Sequence, residues 1–67
     1  MRTKDFTKGL RVRSRISNYG FMRVLRVIPK KESKTTYTVI EVEHSSDGDF
    51  SFALVKQFRM CDLMLHK

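Results

Sequence analysis

The sequence has few of the residues that hold very small proteins together. Its 67 residues include one cysteine, Cys61, two histidines and no tryptophan. One cysteine cannot form an internal disulfide, and two histidines with one cysteine do not make a zinc site. We therefore expect no metal or other cofactor. The fold must depend on hydrophobic packing, which in a chain of this length rarely contributes more than about 3–5 kcal/mol.

Long hydrophobic runs are also missing. No apolar stretch approaches the roughly 18 residues of a membrane span, and residues 1–5 lead into no apolar segment of a signal peptide. A domain this small has little room for an active-site cleft, and His44, Ser45 and Ser46 lie in a predicted polar loop rather than in a water-excluded pocket. The sequence therefore predicts a cytoplasmic protein that is not an enzyme, contacts no membrane and has no small-molecule substrate.

Acidic residues are scarce in the first half of the chain. Residues 1–34 contain eleven lysines or arginines and two acidic residues, a net charge of +9, whereas residues 35–67 carry −2. This asymmetry predicts a basic surface that faces a partner, and a polyanion such as nucleic acid is the first candidate. The alternative is a basic protein whose charges only keep it from aggregating.

The first half of the chain shows two strand patterns separated by a turn. Apolar or small residues alternate with arginine over Leu10–Ile16, which predicts a half-buried strand with arginines on its outer face. Ser17–Gly20 is a predicted turn, and Phe21–Ile28 is a second strand whose irregular alternation indicates a bulge near Leu25 or a strand covered on both faces. This strand is predicted to end at a polar loop, Pro29–Lys34.

The second half begins with the segment richest in β-formers. Thr35–Glu43 contains β-branched residues and tyrosine and predicts a third strand. The polar run His44–Asp49 predicts a hairpin loop. Phe50–Leu54 then alternates as a fourth strand, with three side chains on the core side: Phe50, Phe52 and Leu54.

The C-terminal tail has mixed periodicity. Helical spacing predicts a turn over Lys56–Cys61, after which Leu63 and Leu65 have the spacing of a short closing strand; an amphipathic helix over Ala53–Leu65 is the alternative. Cys61 is expected to be a small buried residue rather than a reactive thiol. Five strands and one short helical turn in a single domain, residues 1–67, indicate a mainly β fold, a small SH3-like barrel.

Several segments resemble the small bacterial YodC-type proteins and related SH3-like barrels. The resemblance follows strand order through Phe6–Val12, Gly20–Val24, Val39–Val42, Phe58 and Leu63–Leu65, and by identity it covers Gly20, Met22 and Val24. The family's Gly-Asp-x-Val and Gly-Gly-Pro steps are replaced here by Gly9-Leu10-Arg11 and Tyr19-Gly20-Phe21. The resemblance implies the barrel fold and no catalytic residue. By size and charge alone, the chain is also similar to small bacteriophage accessory proteins that bind a host enzyme or nucleic acid.

Arginines on the first predicted strand are the main candidate site. Arg11, Arg13 and Arg15 alternate along it, so their side chains would follow one face at intervals of about 6.6–6.8 Å, which suits contacts with a phosphate backbone. Cations of the next strand and loop extend this candidate nucleic-acid-binding surface: Arg23, Arg26, Lys30, Lys31 and Lys34. The alternative is a solvated face whose arginines pair with Glu41 and Glu43 across the sheet.

Aromatic residues lie close to these cations in the sequence. Tyr19 is in the predicted turn, is expected to be exposed, and is the best candidate for stacking on a nucleic-acid base. Phe21 is expected to fill the core, and Tyr37 begins the third strand.

Two functions fit these features. The first is a module that binds DNA or RNA through the Arg-rich strand face, mostly without sequence preference. The second is a protein-interaction module, an inhibitor or regulator of a host or cellular enzyme of the kind that phages encode. Its basic face would meet an acidic protein surface, and a C-terminal apolar cluster would dock into a groove: Met60, Leu63, Met64 and Leu65. Either protein would be a monomer or a homodimer.

Overall fold

The chain forms one antiparallel sheet of five strands. The computed structural model describes residues 5–66, with strands β1 (Arg11–Ser14), β2 (Phe21–Glu32), β3 (Thr35–Ser45), β4 (Leu54–Arg59) and β5 (Leu63–Leu65). Their order in the sheet is β4-β3-β2-β1-β5, so the last strand returns to pair with the first. A short 3-10 turn precedes β5. The prediction of a mainly β fold of about five strands with a short helical turn near the C-terminus is confirmed, and the strands form one open sheet with β4 and β5 at its edges.

The hairpin of β2 and β3 is longer than predicted. Pro29 does not end β2, because Pro29 lies opposite Thr38 and pairing continues to the end of the hairpin, where Glu32 lies opposite Thr35. The neighbouring β1 pairs only with the first residues of β2, so the far half of β2 is a sheet edge, where a missing N–H is tolerated. Residues 29–36 are exposed, and the molecule is 40 Å long but only 23 and 21 Å across.

A β-bulge in β2 changes which residues face the core. Val24 lies opposite Val42 and Arg26 lies opposite Glu41, so Leu25 is the extra residue, as the irregular alternation predicted. Because the bulge shifts the alternation by one residue, Arg26 turns outward beside Glu41, while Val27 packs against the core.

The core draws on every strand of the sheet. Its fully buried members come from β1, β2 and β3, as the alternation in these strands predicted: Val12, Val24, Ile40 and Val42. Met22, Phe58, Leu63 and the preceding Phe6 complete the cluster. Among residues 5–66, no polar or charged residue is buried. The packing that holds the fold together is therefore apolar.

The region after β3 differs most from the prediction. Phe50–Phe52 is a 3-10 turn rather than a strand, because the Asp49 side chain accepts a hydrogen bond from the Ser51 N–H at 3.0 Å and caps the turn. Phe52 is 92% exposed and Leu54 is 67% exposed, so neither fills the core. The core residue of β4 is Phe58, which pairs with Ile40.

The end of the chain confirms one of the two predictions made for it. The helical turn covers Met60–Asp62 instead of Lys56–Cys61, and the closing strand is Leu63–Leu65, so the continuous helix over Ala53–Leu65 is wrong. Cys61 is exposed, contrary to the expectation that it is buried.

Replacing Gly20 by alanine is expected to lower the free energy of unfolding by about 2–4 kcal/mol. Gly20 has a φ of +76°, and a Cβ there would lie 2.6 Å from the backbone oxygen of Ser45. Gly9 offers a matched control, because its φ is +89° but no atom lies within 4 Å of the added Cβ. Gly9→Ala should therefore lose only about 1–2 kcal/mol. Equal losses in urea unfolding of the two variants would contradict the close approach at Gly20.

Candidate nucleic-acid interface

Three exposed arginines follow β1. Arg11 and Arg13 alternate with the buried Val12, so both side chains lie on the outer face of the strand. Arg15 continues the backbone pairing beyond β1, since its backbone N–H donates to the backbone carbonyl oxygen of Asp62 at 2.8 Å. None of the three arginines forms an ion pair with a residue between 5 and 66. Their guanidinium groups are therefore available to an anion from solution.

Arg23 is held by its neighbours. It lies directly opposite Arg11, and its Nε donates to Glu43 Oε1 on β3 at 2.8 Å. The ring of Phe50, carried on the 3-10 turn after β3, lies 3.8 Å from the Arg23 guanidinium carbon. Arg23 therefore forms a cross-strand ion pair with Glu43 and a cation–π contact with Phe50, so its guanidinium group already has two partners.

Arg26 is paired as well, but it is more exposed. Its Nε donates to Glu41 Oε1 at 3.0 Å, and Gln57 of β4 donates to the other oxygen of Glu41 at 3.3 Å. The hydrogen bond from Arg26, followed by that from Gln57, lowers the pKa of the Glu41 carboxyl. The Arg26 side chain is 68% exposed. Pairing with Glu41 and Glu43, the alternative considered for the arginines, therefore applies to those of β2 and not to those of β1.

Lys30 and Lys31 lie on a strand rather than in the predicted loop. They pair with Tyr37 and Thr36 on the projecting end of the hairpin. Because neighbouring residues of a strand point to opposite faces, only one of the two lysines can face the same side as Arg26. Lys30 is that residue, because it lies four residues after Arg26 and the bulge at Leu25 precedes both of them.

Tyr19 does not present a free ring. It is half-buried and packs against the core, with its ring edge-on to Phe58 at 5.3 Å and to His44 at 5.5 Å between centroids. Lys56 places its Nζ 5.5 Å from the Tyr19 centroid. Phe21 also differs from the prediction: it was expected to fill the core, but it is 40% exposed. Tyr19 therefore serves as a wall and not as an open stacking platform.

Two clefts lie on either side of this wall. The first, of about 390 Å³, is lined by Arg13, Arg15, Ile16 and His66, and the second, of about 590 Å³, by His44, Asp47, Asp49, Phe52 and Leu54. Asn18, Tyr19 and Gly20 line both clefts. Sequence reasoning missed Phe52, Asp47 and His66 as site residues. The only signal for the second cleft was the polar run before Phe50, which was interpreted as a hairpin tip.

Other kinds of site have no support in the part of the chain that the structure describes. No group of three His, Cys, Asp or Glu side chains within residues 5–66 could hold a metal ion. No helix in the same range is long and apolar enough to cross a membrane. Comparison of the chain with protein-family models, with curated proteins and with solved structures finds no match. The resemblance to YodC-type proteins stays a prediction.

Proposed function

We propose that the protein is a cytoplasmic module that binds DNA or RNA through the outer face of β1. The observation that carries the proposal is the row of three exposed arginines, Arg11, Arg13 and Arg15, without an ion pair among the described residues. Lys30 and the paired but 68% exposed Arg26 extend the row along β2, whereas Arg23 is held by both Glu43 and Phe50.

The physical basis of binding is the exchange of counterions for arginine. Side chains that alternate along a strand are about 6.6–6.8 Å apart, close to the spacing of phosphates in an extended single strand. Arginine contacts a phosphate through two parallel N–H groups, and each phosphate it neutralises releases condensed counterions. Binding should therefore be strong at low salt and largely independent of sequence.

A salt titration tests this proposal. With about five phosphate contacts, the affinity for a single-stranded oligonucleotide should fall about a hundred-fold between 50 and 200 mM salt. Fluorescence anisotropy with labelled DNA and RNA of the same sequence measures both the affinity and its salt dependence. If neither the DNA nor the RNA binds detectably at about 50 mM salt, the proposal is refuted.

A protein partner is the second candidate, and a specific observation favours it. Phe52, Leu54 and Val55 are 92%, 67% and 60% exposed, and they lie in or beside β4 at an edge of the sheet. Of the predicted C-terminal cluster, Leu63 is buried in the core and Leu65 is 42% exposed, so the apolar side chains at β4 are the more exposed of the two sets. A partner with an acidic surface, such as an enzyme that the protein regulates, would remain bound after nuclease treatment, whereas a nucleic-acid bridge would not.

A further inference from the structure

The two clefts beside Tyr19 have complementary chemistry. One contains cations and the other contains aromatic rings and carboxylates, and the two share the wall formed by Asn18, Tyr19 and Gly20. A ligand that crosses this wall would meet a site for an anion on one side and a site for a flat polar ring on the other. A nucleotide has these two parts, joined by a sugar.

The first cleft suits a phosphate. It lies at the end of β1, where the backbone hydrogen bond from Arg15 to Asp62 holds the strand in place. Arg13, Arg15 and His66 line it, and no acidic side chain does. Two forked guanidinium groups at the mouth of one cleft favour a phosphate group over a carboxylate-bearing side chain, because a phosphate offers more acceptor oxygens at higher charge.

The second cleft suits the base. Phe52 exposes 92% of its surface although the Asp49 cap fixes the turn that carries it, so a large apolar ring is held in water in the cleft that Tyr19 also lines. A nucleic-acid base stacked on an aromatic ring removes apolar surface from both partners. Asp47 and Asp49 line the same cleft, so a phosphate would be repelled from it. The two parts of a nucleotide can therefore occupy the site in only one orientation.

Asp47 determines which base fits. Its Oδ1 accepts hydrogen bonds from Ser45 Oγ at 2.7 Å and from the Asp49 N–H at 2.9 Å, so its second oxygen takes part in neither of these bonds. Asp47 is exposed and lines the cleft, which makes that oxygen available to a ligand. The hydrogen bond from Ser45 lowers the pKa of Asp47, which keeps the group ionised and accepting only. An ionised carboxylate accepts from the amino group of cytosine, whereas the thymine edge places carbonyl oxygens on both sides of its one N–H.

We propose that this pair of clefts binds one nucleotide of a single strand, with its phosphate between Arg13 and Arg15 and an amino-bearing base stacked on Phe52 beside Asp47. The inference rests on the proposed nucleic-acid function and adds strandedness and base preference to it. A base paired inside a duplex is stacked and cannot enter the second cleft.

Three labelled probes of equal length test the inference in anisotropy titrations: oligodeoxycytidylate, oligodeoxythymidylate and a duplex of mixed sequence. The protein should bind the cytidine strand about five-fold more tightly than the thymidine strand, the effect of one hydrogen-bonded edge. It should bind the duplex more weakly than either strand. Since a duplex has the higher charge density, electrostatics alone would produce the opposite order.

Two variants separate the contributions of the ring and the carboxylate. Phe52→Ala should lower affinity for the cytidine strand about ten-fold, because one base–aromatic contact is lost. Asp47→Asn keeps the acceptor for Ser45 and replaces the outward oxygen by an amide donor, so it should abolish the cytidine preference. Val55→Ala is the matched control, since Val55 is 60% exposed but lines neither cleft.

The possible outcomes are distinguishable. Equal binding of both strands and the duplex, or unchanged affinity in Phe52→Ala, would overturn the nucleotide site while leaving electrostatic binding to β1 intact. Absence of binding to all three probes and to the labelled RNA at low salt would overturn both the site and the proposed function. Loss of affinity in Val55→Ala as large as that in Phe52→Ala would assign the effect to the exposed apolar edge and would also overturn the site.

Discussion

Replacing both Arg11 and Arg13 by glutamate is expected to lower the affinity for single-stranded nucleic acid by about a hundred-fold at low salt, about ten-fold for each reversed contact. Both side chains are exposed and have no ion-pair partner within residues 5–66, so the substitutions remove contacts to the ligand and not to the protein. The salt dependence should weaken as well, since fewer counterions are released. Anisotropy titrations at two salt concentrations measure both effects.

The stability of this double variant should be close to that of the parent. Arg11 lies directly opposite Arg23, and like charges at facing positions of a sheet are destabilising, so a glutamate at position 11 removes a repulsion. A double variant with Lys8→Glu and Arg59→Glu changes the net charge of +7 by the same amount at exposed residues outside the proposed row. If that control loses as much affinity, overall charge rather than the β1 row accounts for binding.

Val12→Asp is expected to leave the chain largely unfolded at room temperature. Val12 is 1% exposed and lies in the middle of the core, between Met22 of β2 and Leu65 of β5. An unpaired carboxylate there should cost about 4 kcal/mol or more, comparable to the whole stability expected of a domain of this size. Circular dichroism and urea unfolding measure the loss.

Arg13→Asp provides the control for this substitution. It introduces the same side chain one residue later, where the strand faces solvent, and it should leave the unfolding transition nearly unchanged. A folded Val12→Asp protein with parent-like stability would show that β1 does not carry the core.

The strands predicted most successfully are those in which the sequence alternation and the neighbouring strands bury the same face. In β1, and in β3 apart from the additionally buried Val39, the alternation of apolar and polar residues decides which face is buried, and both strands have neighbours along the sheet that use that face. The bulge at Leu25 was also predicted, because the extra residue of a bulge itself breaks the alternation in the sequence. These features depend on residues close together in the chain.

One failure has a long-range cause and the other a local one. Pro29 was expected to end β2, but the short length of β1 makes the far half of β2 an edge, and nothing near Pro29 reveals the length of a neighbouring strand. Phe50–Leu54 has the alternation of a strand, yet the Asp49 cap bends it into a turn and places Phe50 on Arg23. Alternation alone does not distinguish these cases.

The candidate site was predicted in part. Its arginines were identified from spacing and charge, but the sequence treats Arg11, Arg13, Arg23 and Arg26 alike. Only the cross-strand register places Glu43 and Glu41 beside two of them and leaves the other two to solvent. The clefts on either side of Tyr19 bring together residues from the β1–β2 turn, the loop after β3 and the C-terminus, which no local pattern connects.

By itself, the sequence determined the class of fold and the half of the chain that carries the positive charge, because alternation and net charge depend on residues close together in the chain. Only the tertiary structure decided which arginines are unpaired, that Tyr19 is a wall and that Phe52 is held in water. Those properties depend on which strands lie side by side and in what register, which follows from packing the whole core at once.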